Sequence, residues 1–204
     1  MHFTLTTLVL TLSLSSICST QGTCPEIPET GVTIGDPVPI KPEDIPRGCS
    51  PYEILVARGT SEPSYPKYGI IVGDPVVSNA SLKLAGIQGY PVQYPASSQI
   101  ISGGEQGVSD IVSRLLSQSA ACPNQSFALV GYSQGASIMH LATDRLPASV
   151  LPRIKAVVMF GDPNNKLGLL GQFRLALRAK ALGICAPNDP VSFLCSFDCL
   201  REGM

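Results

Sequence analysis

Between residues 52 and 184, short apolar runs rich in β-branched side chains alternate with segments of helical period, and this alternation restricts the fold more than any other feature. Tyr52-Glu53-Ile54-Leu55-Val56-Ala57 ends at Arg58-Gly59, as a buried strand ends at a loop. A second strand is predicted over Gly89-Tyr90-Pro91-Val92-Gln93-Tyr94, and Pro91, with no N–H for a ladder, suits a sheet edge. Val108, Ile111, Val112, Leu115 and Leu116 repeat at the 3.6-residue period of an amphipathic helix over 107–121. Phe127-Ala128-Leu129-Val130 then reads as a strand, 136–146 as a helix stopping before Pro147, and 154–160 as a strand closed by Gly161-Asp162-Pro163. A fifth strand is expected over 179–184. Strands and helices in this order predict a parallel sheet flanked by helices on both faces, with ligands at the carboxyl ends of the strands.

At 204 residues, with 44% hydrophobic and 14% charged side chains, the chain can bury one sizeable core, and no second block of composition marks another domain. A formal net charge of -1, no cluster of Lys or Arg and no Trp offer nothing for nucleic acid or an anionic membrane to hold. The apolar, Ser/Thr-studded run from Met1 to Cys18, followed by Ser19 and Thr20, reads as a signal peptide over 1–20 and predicts secretion. Its removal leaves Cys24, Cys49, Cys122, Cys185, Cys195 and Cys199, an even set without zinc-site spacing, as expected of disulfides formed outside the cytosol. The sequons Asn79-Ala80-Ser81 and Asn124-Gln125-Ser126 would be usable on that route. Residues 21–48 are rich in Pro and acidic side chains without apolar period, and read as an extended arm.

In Gly131-Tyr132-Ser133-Gln134-Gly135 a serine falls between a predicted strand and a predicted helix, where G-x-S-x-G forms a sharp nucleophile elbow. The glycines leave room for the turn, and the Gln134 backbone N–H is aimed at the oxyanion that Ser133 would create. A second donor is expected from the loop after the first strand, Arg58-Gly59-Thr60-Ser61. Thr60 could offer its N–H and its hydroxyl there; the alternative is a loop threonine that bonds its own backbone. A triad of this order needs an acid later in the chain. Asp189 is the better candidate and Asp162 the second, read otherwise as a turn aspartate bonding backbone amides.

Cys49 lies eleven residues before Thr60, and Cys122 lies eleven before Ser133. With Ala-Arg-Gly-Thr, Cys-Pro-Asn, Gly-Tyr-Ser-Gln-Gly, Phe-Gly-Asp-Pro and Cys-Ala-Pro-Asn-Asp-Pro-Val, the chain from Cys49 to Val191 resembles the cutinase family, including its acetylxylan esterases. The resemblance implies an α/β-hydrolase three-layer sandwich around a mostly parallel five-stranded sheet, over 49–191 and truncated at the C-terminus. It also implies a Cys49–Cys122 disulfide, Thr60 as a side-chain oxyanion donor and Asp189 as the triad acid. No cofactor or metal is implied. The expected partner is an ester substrate of plant cell-wall or cuticle type, with the protein a monomer and neither nucleic acid nor membrane involved.

The histidine such a triad needs is missing. His2 belongs to the signal peptide, and His140, seven residues after Ser133, lies about 10 Å further along the predicted helix. The family pattern breaks after Val191: Ser192 stands where a cysteine is expected, and 192–204 form a divergent tail. A break this local points to an altered C-terminus more than to scattered decay of the site. Cys195 or Cys199 is then left to pair with Cys185, among fifteen possible pairings of six cysteines. Two readings follow: a secreted carboxylic ester hydrolase impaired by the missing base, or a non-catalytic esterase-like protein that binds a plant polymer or host partner.

Overall fold

The computed structural model describes residues 40–63, 67–186, 189, 191 and 192, with residues 100–102 described by their backbone alone. Five strands form one sheet: β1 (Tyr52–Ala57), β2 (Ile87–Pro91), β3 (Ser126–Tyr132), β4 (Ile154–Phe160) and β5 (Ala181–Ile184). Their order is β2-β1-β3-β4-β5, and every neighbouring pair is parallel. Between them run α1 (Gly73–Lys83), α2 (Ile100–Ala121), α3 (Gln134–Asp144) and the short α4 (Leu175–Arg178).

Period-two alternation along the strands sorts their side chains between two cores. Leu55, Ala57, Phe127, Leu129, Val157 and Met159 pack with residues of α2 and α3, whereas Ile54, Val56 and Val130 pack with Val77 of α1. Helices therefore cover both faces, as the order of elements predicts. Over the edge strand β5, Leu182 and Ile184 remain exposed.

β1 and β4 coincide with the predicted strands. β2 begins earlier than predicted and stops at Pro91, on the edge where that proline was expected. One further bond, Val92 N–H to Val56 O at 2.9 Å, follows before the chain leaves the ladder. α2 starts seven residues earlier than its apolar period implies. Gly103 and Gly107 let the helix approach its neighbours closely: a Cβ on Gly103 would lie 3.2 Å from Pro95 Cγ and one on Gly107 3.1 Å from the Tyr94 ring. α1 was not predicted, because Gly73-Asp74-Pro75 looks like a turn and only Gly73 and Val77 of the helix are buried.

The Cys49–Cys122 disulfide joins the approach to β1 with the end of α2, at a Cα separation of 5.5 Å. Cys185, just beyond β5, is disulfide-bonded as well. Its partner lies outside the described residues, as do Cys24, Cys195 and Cys199.

Candidate active site

β3 is the central strand, and at its carboxyl end the chain turns through Ser133 into α3. Ser133 has φ 50° and ψ -114°, a conformation that costs a non-glycine residue about 1–3 kcal/mol and persists only where its surroundings enforce it. The enforcement is visible. Ser133 N–H donates to Phe160 O at 2.9 Å, and Ser133 O accepts from Ala136 N–H at 3.0 Å. A Cβ on Gly135 would stand 2.1 Å from Ala57 O, and one on Gly131 would stand 2.7 Å from Ala136 Cα. The two motif glycines are thus required by backbone packed against backbone, which presses the elbow onto the end of β1.

The loop bearing Thr60 meets the elbow directly. A Cβ on Gly59 would lie 2.6 Å from the ring of Tyr132, the residue before Ser133. Thr60 is half-buried between two anchors: Gly59 N–H donates to Glu62 Oε2 at 2.9 Å, and Ser61 N–H donates to Ala96 O at 2.6 Å. The buried side chain of Gln134 donates to Ser97 O at 2.8 Å, tying the start of α3 to the segment that holds Ser61. Gln134 therefore spends its side chain on scaffolding and leaves its backbone N–H at the elbow.

Sequence reasoning missed the groups that hold this loop. Arg58 donates through Nη1 to Glu62 O at 2.5 Å and through Nη2 to Tyr94 O at 2.8 Å, while the Tyr94 hydroxyl donates back to Arg58 O. The Glu62 carboxylate also accepts from Ile71 N–H at 2.6 Å. All three side chains are buried. The available signal was a charged pair, Arg58 and Glu62, within a loop that otherwise carries little charge.

Burial holds the Glu62 carboxyl above its ordinary 4.5, against the pull of amide bonds from Gly59, Ile71 and Val72 and of the Arg58 charge. A carboxyl raised in the folded state binds its proton more readily folded than unfolded. Its contribution to stability is complete below the unfolded value and is lost as pH rises through the folded one. The melting temperature of the native chain minus that of Glu62→Gln should therefore shrink from pH 4.5 toward neutrality. A difference that grows over that range would mean that the bonds to the ionised form dominate.

Asp189 lies at the carboxyl end of β4. Its Oδ2 would be 3.3 Å from a Cβ on Gly161, and it accepts from the Ser192 hydroxyl at 2.5 Å; Oδ1 accepts from Val191 N–H at 2.9 Å. Asp162 is engaged elsewhere. Its Oδ1 accepts from Asn164 N–H at 2.9 Å, capping the 3-10 turn Pro163–Gly171, and its Oδ2 lies 2.8 Å from His140 Nε2. His140 is buried and stacks on Phe173, with ring centroids 3.6 Å apart. The structure thus brings Ser133, Gln134 and the Thr60 loop together, sets Asp189 at the neighbouring strand end, and commits His140 to Asp162. Among the described residues no cluster of His, Cys, Asp and Glu is arranged to hold a metal ion, and no helix is long and apolar enough to cross a membrane.

A parallel sheet with a strained serine between its central strand and the following helix is the architecture of an α/β-hydrolase. The family model for cutinase matches residues 48–199, and the chain belongs to the cutinase family. It is 33% identical over 156 residues to probable carboxylesterase Culp3 of Mycobacterium tuberculosis, covering 71% of this chain and 58% of that protein. It is 37% identical over 120 residues to a cutinase of Hypocrea jecorina, covering 56% and 47%. The chain therefore spans only about half the length of each of these two relatives. Among solved structures, Trichoderma reesei cutinase bound to a phosphonate inhibitor superposes with a TM-score of 0.60 at 30% identity, over 79% of this chain and 68% of that one. The catalytic core of Trichoderma reesei acetyl xylan esterase shares the fold, with a TM-score of 0.57 at 22% identity over 71% and 86%.

Proposed function

We propose that this chain is built as a secreted carboxylic ester hydrolase of plant-derived esters, with its domain over 49–191. Ser133 attacks the ester carbonyl to form an acyl-enzyme, while the Gln134 N–H and Thr60 stabilise the tetrahedral oxyanion. Asp189 is the acid of a triad whose base this sequence lacks. The strained Ser133 backbone, pressed between β1 and β4 inside a Gly-x-Ser-x-Gly motif, is the observation that carries the reading, because strain of this kind clusters at functional sites. The names of the relatives, cutinases and carboxylesterases, support the reaction class. Cys185 pairs with Cys195 in this reading.

Without a base, the serine adds little to what the oxyanion hole and binding supply. Hydrolysis of p-nitrophenyl butyrate by the chain is expected to be weak and almost insensitive to Ser133→Ala. Imidazole added to solution should raise turnover in the native chain beyond the imidazole background, and should fail to do so in Ser133→Ala. An equal response in both would remove Ser133 from the role of nucleophile. Robust unassisted turnover that Ser133→Ala abolishes would show that another group serves as the base.

The second reading, a non-catalytic protein that binds a polymer or host partner, draws on the same geometry. The Asp189 oxygen beside Gly161 already accepts from Ser192, and His140 is committed to Asp162. Retention on acetylated xylan or isolated cuticle, undiminished in Ser133→Ala and without product release, would favour it.

A further inference from the structure

The chemistry at Ser133 leaves two sequons unused, Asn79-Ala80-Ser81 and Asn124-Gln125-Ser126, and the fold holds them in different ways. Pro123 and Asn124 form the corner of the turn between α2 and β3, closed by Gln125 N–H donating to Cys122 O at 3.1 Å, and Asn124 is exposed at its tip. The rest of the triplet is fixed to the start of the sheet. Gln125 is buried, its side chain accepting from Ser50 N–H at 2.9 Å and donating to Glu53 Oε2 at 3.0 Å, and Ser126 N–H donates to Pro51 O at 2.9 Å. Arg153 fastens the turn from the other side, donating through Nε to Gln125 O at 2.9 Å and through Nη1 to Ser119 O at 2.7 Å. The Cys49–Cys122 disulfide lies just before Asn124, so segments both earlier and later in the chain lock this triplet in place.

Asn79 is exposed on α1, and its sequon makes its side-chain bonds within that helix: Asn79 Nδ2 donates to Pro75 O at 2.7 Å, and the Ser81 hydroxyl donates to Val77 O at 2.8 Å. A sequon is read through the asparagine amide and the hydroxyl two residues on, which must reach one transferase site together. In the folded chain Asn124 and the half-buried Ser126 stand on either side of the step from turn to strand, so this triplet can be taken up only while that end of the sheet is open. The time available is short. Cys49 precedes Cys122 by 73 residues and is already present when Cys122 emerges, whereas Arg153 follows Gln125 by 28. At a synthesis rate of about 5–20 residues per second that last stretch takes roughly 1–6 s, and disulfides form over seconds upward. Glycan transfer and disulfide closure therefore share one interval.

We propose that Asn124 is an N-glycosylation site whose use competes with closure of the Cys49–Cys122 disulfide, so that the secreted chain is a mixture of molecules with and without a glycan at this turn. In the step, Asn124 Nδ2 bonds to the anomeric carbon of an oligosaccharide carried on a lipid diphosphate. The bond from that carbon to the diphosphate oxygen breaks, the lipid diphosphate leaves with the electron pair, and the amide gives one proton to a base of the transferase. The folded chain has room for the product, because a bulky, hydrated glycan belongs on an exposed turn. It also leaves the nucleophile clear. Asn124 precedes β3 and Ser133 follows it, and the seven residues of that strand, at about 3.3 Å each, set the two about 20 Å apart at opposite ends of the sheet.

The inference rests on the secretory part of the proposed function and not on the ester chemistry. The full chain, Cys49→Ser and Asn124→Gln are made in a yeast secretory host, and the native chain is also made under a dithiothreitol pulse. Occupancy of each sequon is read by mass spectrometry after enzymatic glycan removal in heavy-oxygen water. Medium and cell lysate are pooled, so that a variant that folds poorly is still scored. With comparable rates about half of the native molecules miss the glycan, so Cys49→Ser and the reductant pulse should each raise Asn124 occupancy roughly twofold, with Asn79 unchanged. Asn124→Gln should lose the corresponding glycan alone. No glycan at Asn124 in any sample, full occupancy in the native chain, or an equal rise at both sequons would each overturn the proposal. An unglycosylated chain in the medium would reject the site and leave secretion standing, whereas a cytosolic chain that keeps residues 1–20 would reject both.

Discussion

Cys49→Ser/Cys122→Ser is expected to lower the melting temperature by about 10 °C. The disulfide closes a loop with a sequence separation of 73, which in the chain-entropy model stabilises the fold by roughly 4 kcal/mol. For a domain of this size each kcal/mol moves the midpoint by about 2–4 °C. The loop encloses β1, α1, β2 and the whole of α2, so its constraint acts on the unfolded chain across the segment that must collapse to form one side of the sheet. Thermal melts of the double variant, with Cys185 left in place, measure the effect. A shift of only a degree or two would mean that the unfolded chain is already restrained in this region.

Glu62→Leu should cost more than its modest surroundings imply, about 1–3 kcal/mol for each amide left without an acceptor. The substitution removes the negative charge beside the buried Arg58 guanidinium and strips the acceptor from the Gly59 and Ile71 amides. Burial already draws the Arg58 pKa down from its ordinary value, with Tyr94 and Glu62 opposing the shift. Urea unfolding of Glu62→Leu, Arg58→Met and the double variant forms the appropriate cycle. The double variant should lose less than the sum of the singles, because removing both charges leaves neither one stranded. Additive losses would show that the two side chains hold the loop independently.

Much of the fold was legible because strands and helices carry different periods. The runs at 52–57 and 154–160 are inner strands of the sheet, and their apolar, β-branched character, interrupted by Glu53 and Lys155, marks their ends sharply. α1 was illegible because it buries little and opens with Gly-Asp-Pro, the signature of a turn. The start of α2 was hidden for the opposite reason. In that first turn Gly103 serves close packing against Pro95 and Ser97, and a residue-by-residue reading sees only its cost to the helix. The site divides along the same line. Ser133 and Gln134 lie in one contiguous motif, whereas Arg58, Glu62 and Tyr94 meet only because β1 and the segment after β2 run side by side.

From the sequence alone came the nucleophile elbow, the parallel order of strands and helices, and the shortage of histidine, since each is a matter of residue type and local spacing. Only the tertiary structure decided what His140 does and where Leu167, Leu169 and Leu170 point. Both depend on groups far apart in the chain: Asp162 and Phe173 converge on one ring of α3, and the turn between them is left with no core to enter. Local pattern records which side chains are apolar. Whether an apolar side chain is buried depends on which surfaces the fold brings against it, and over 167–170 it brings none.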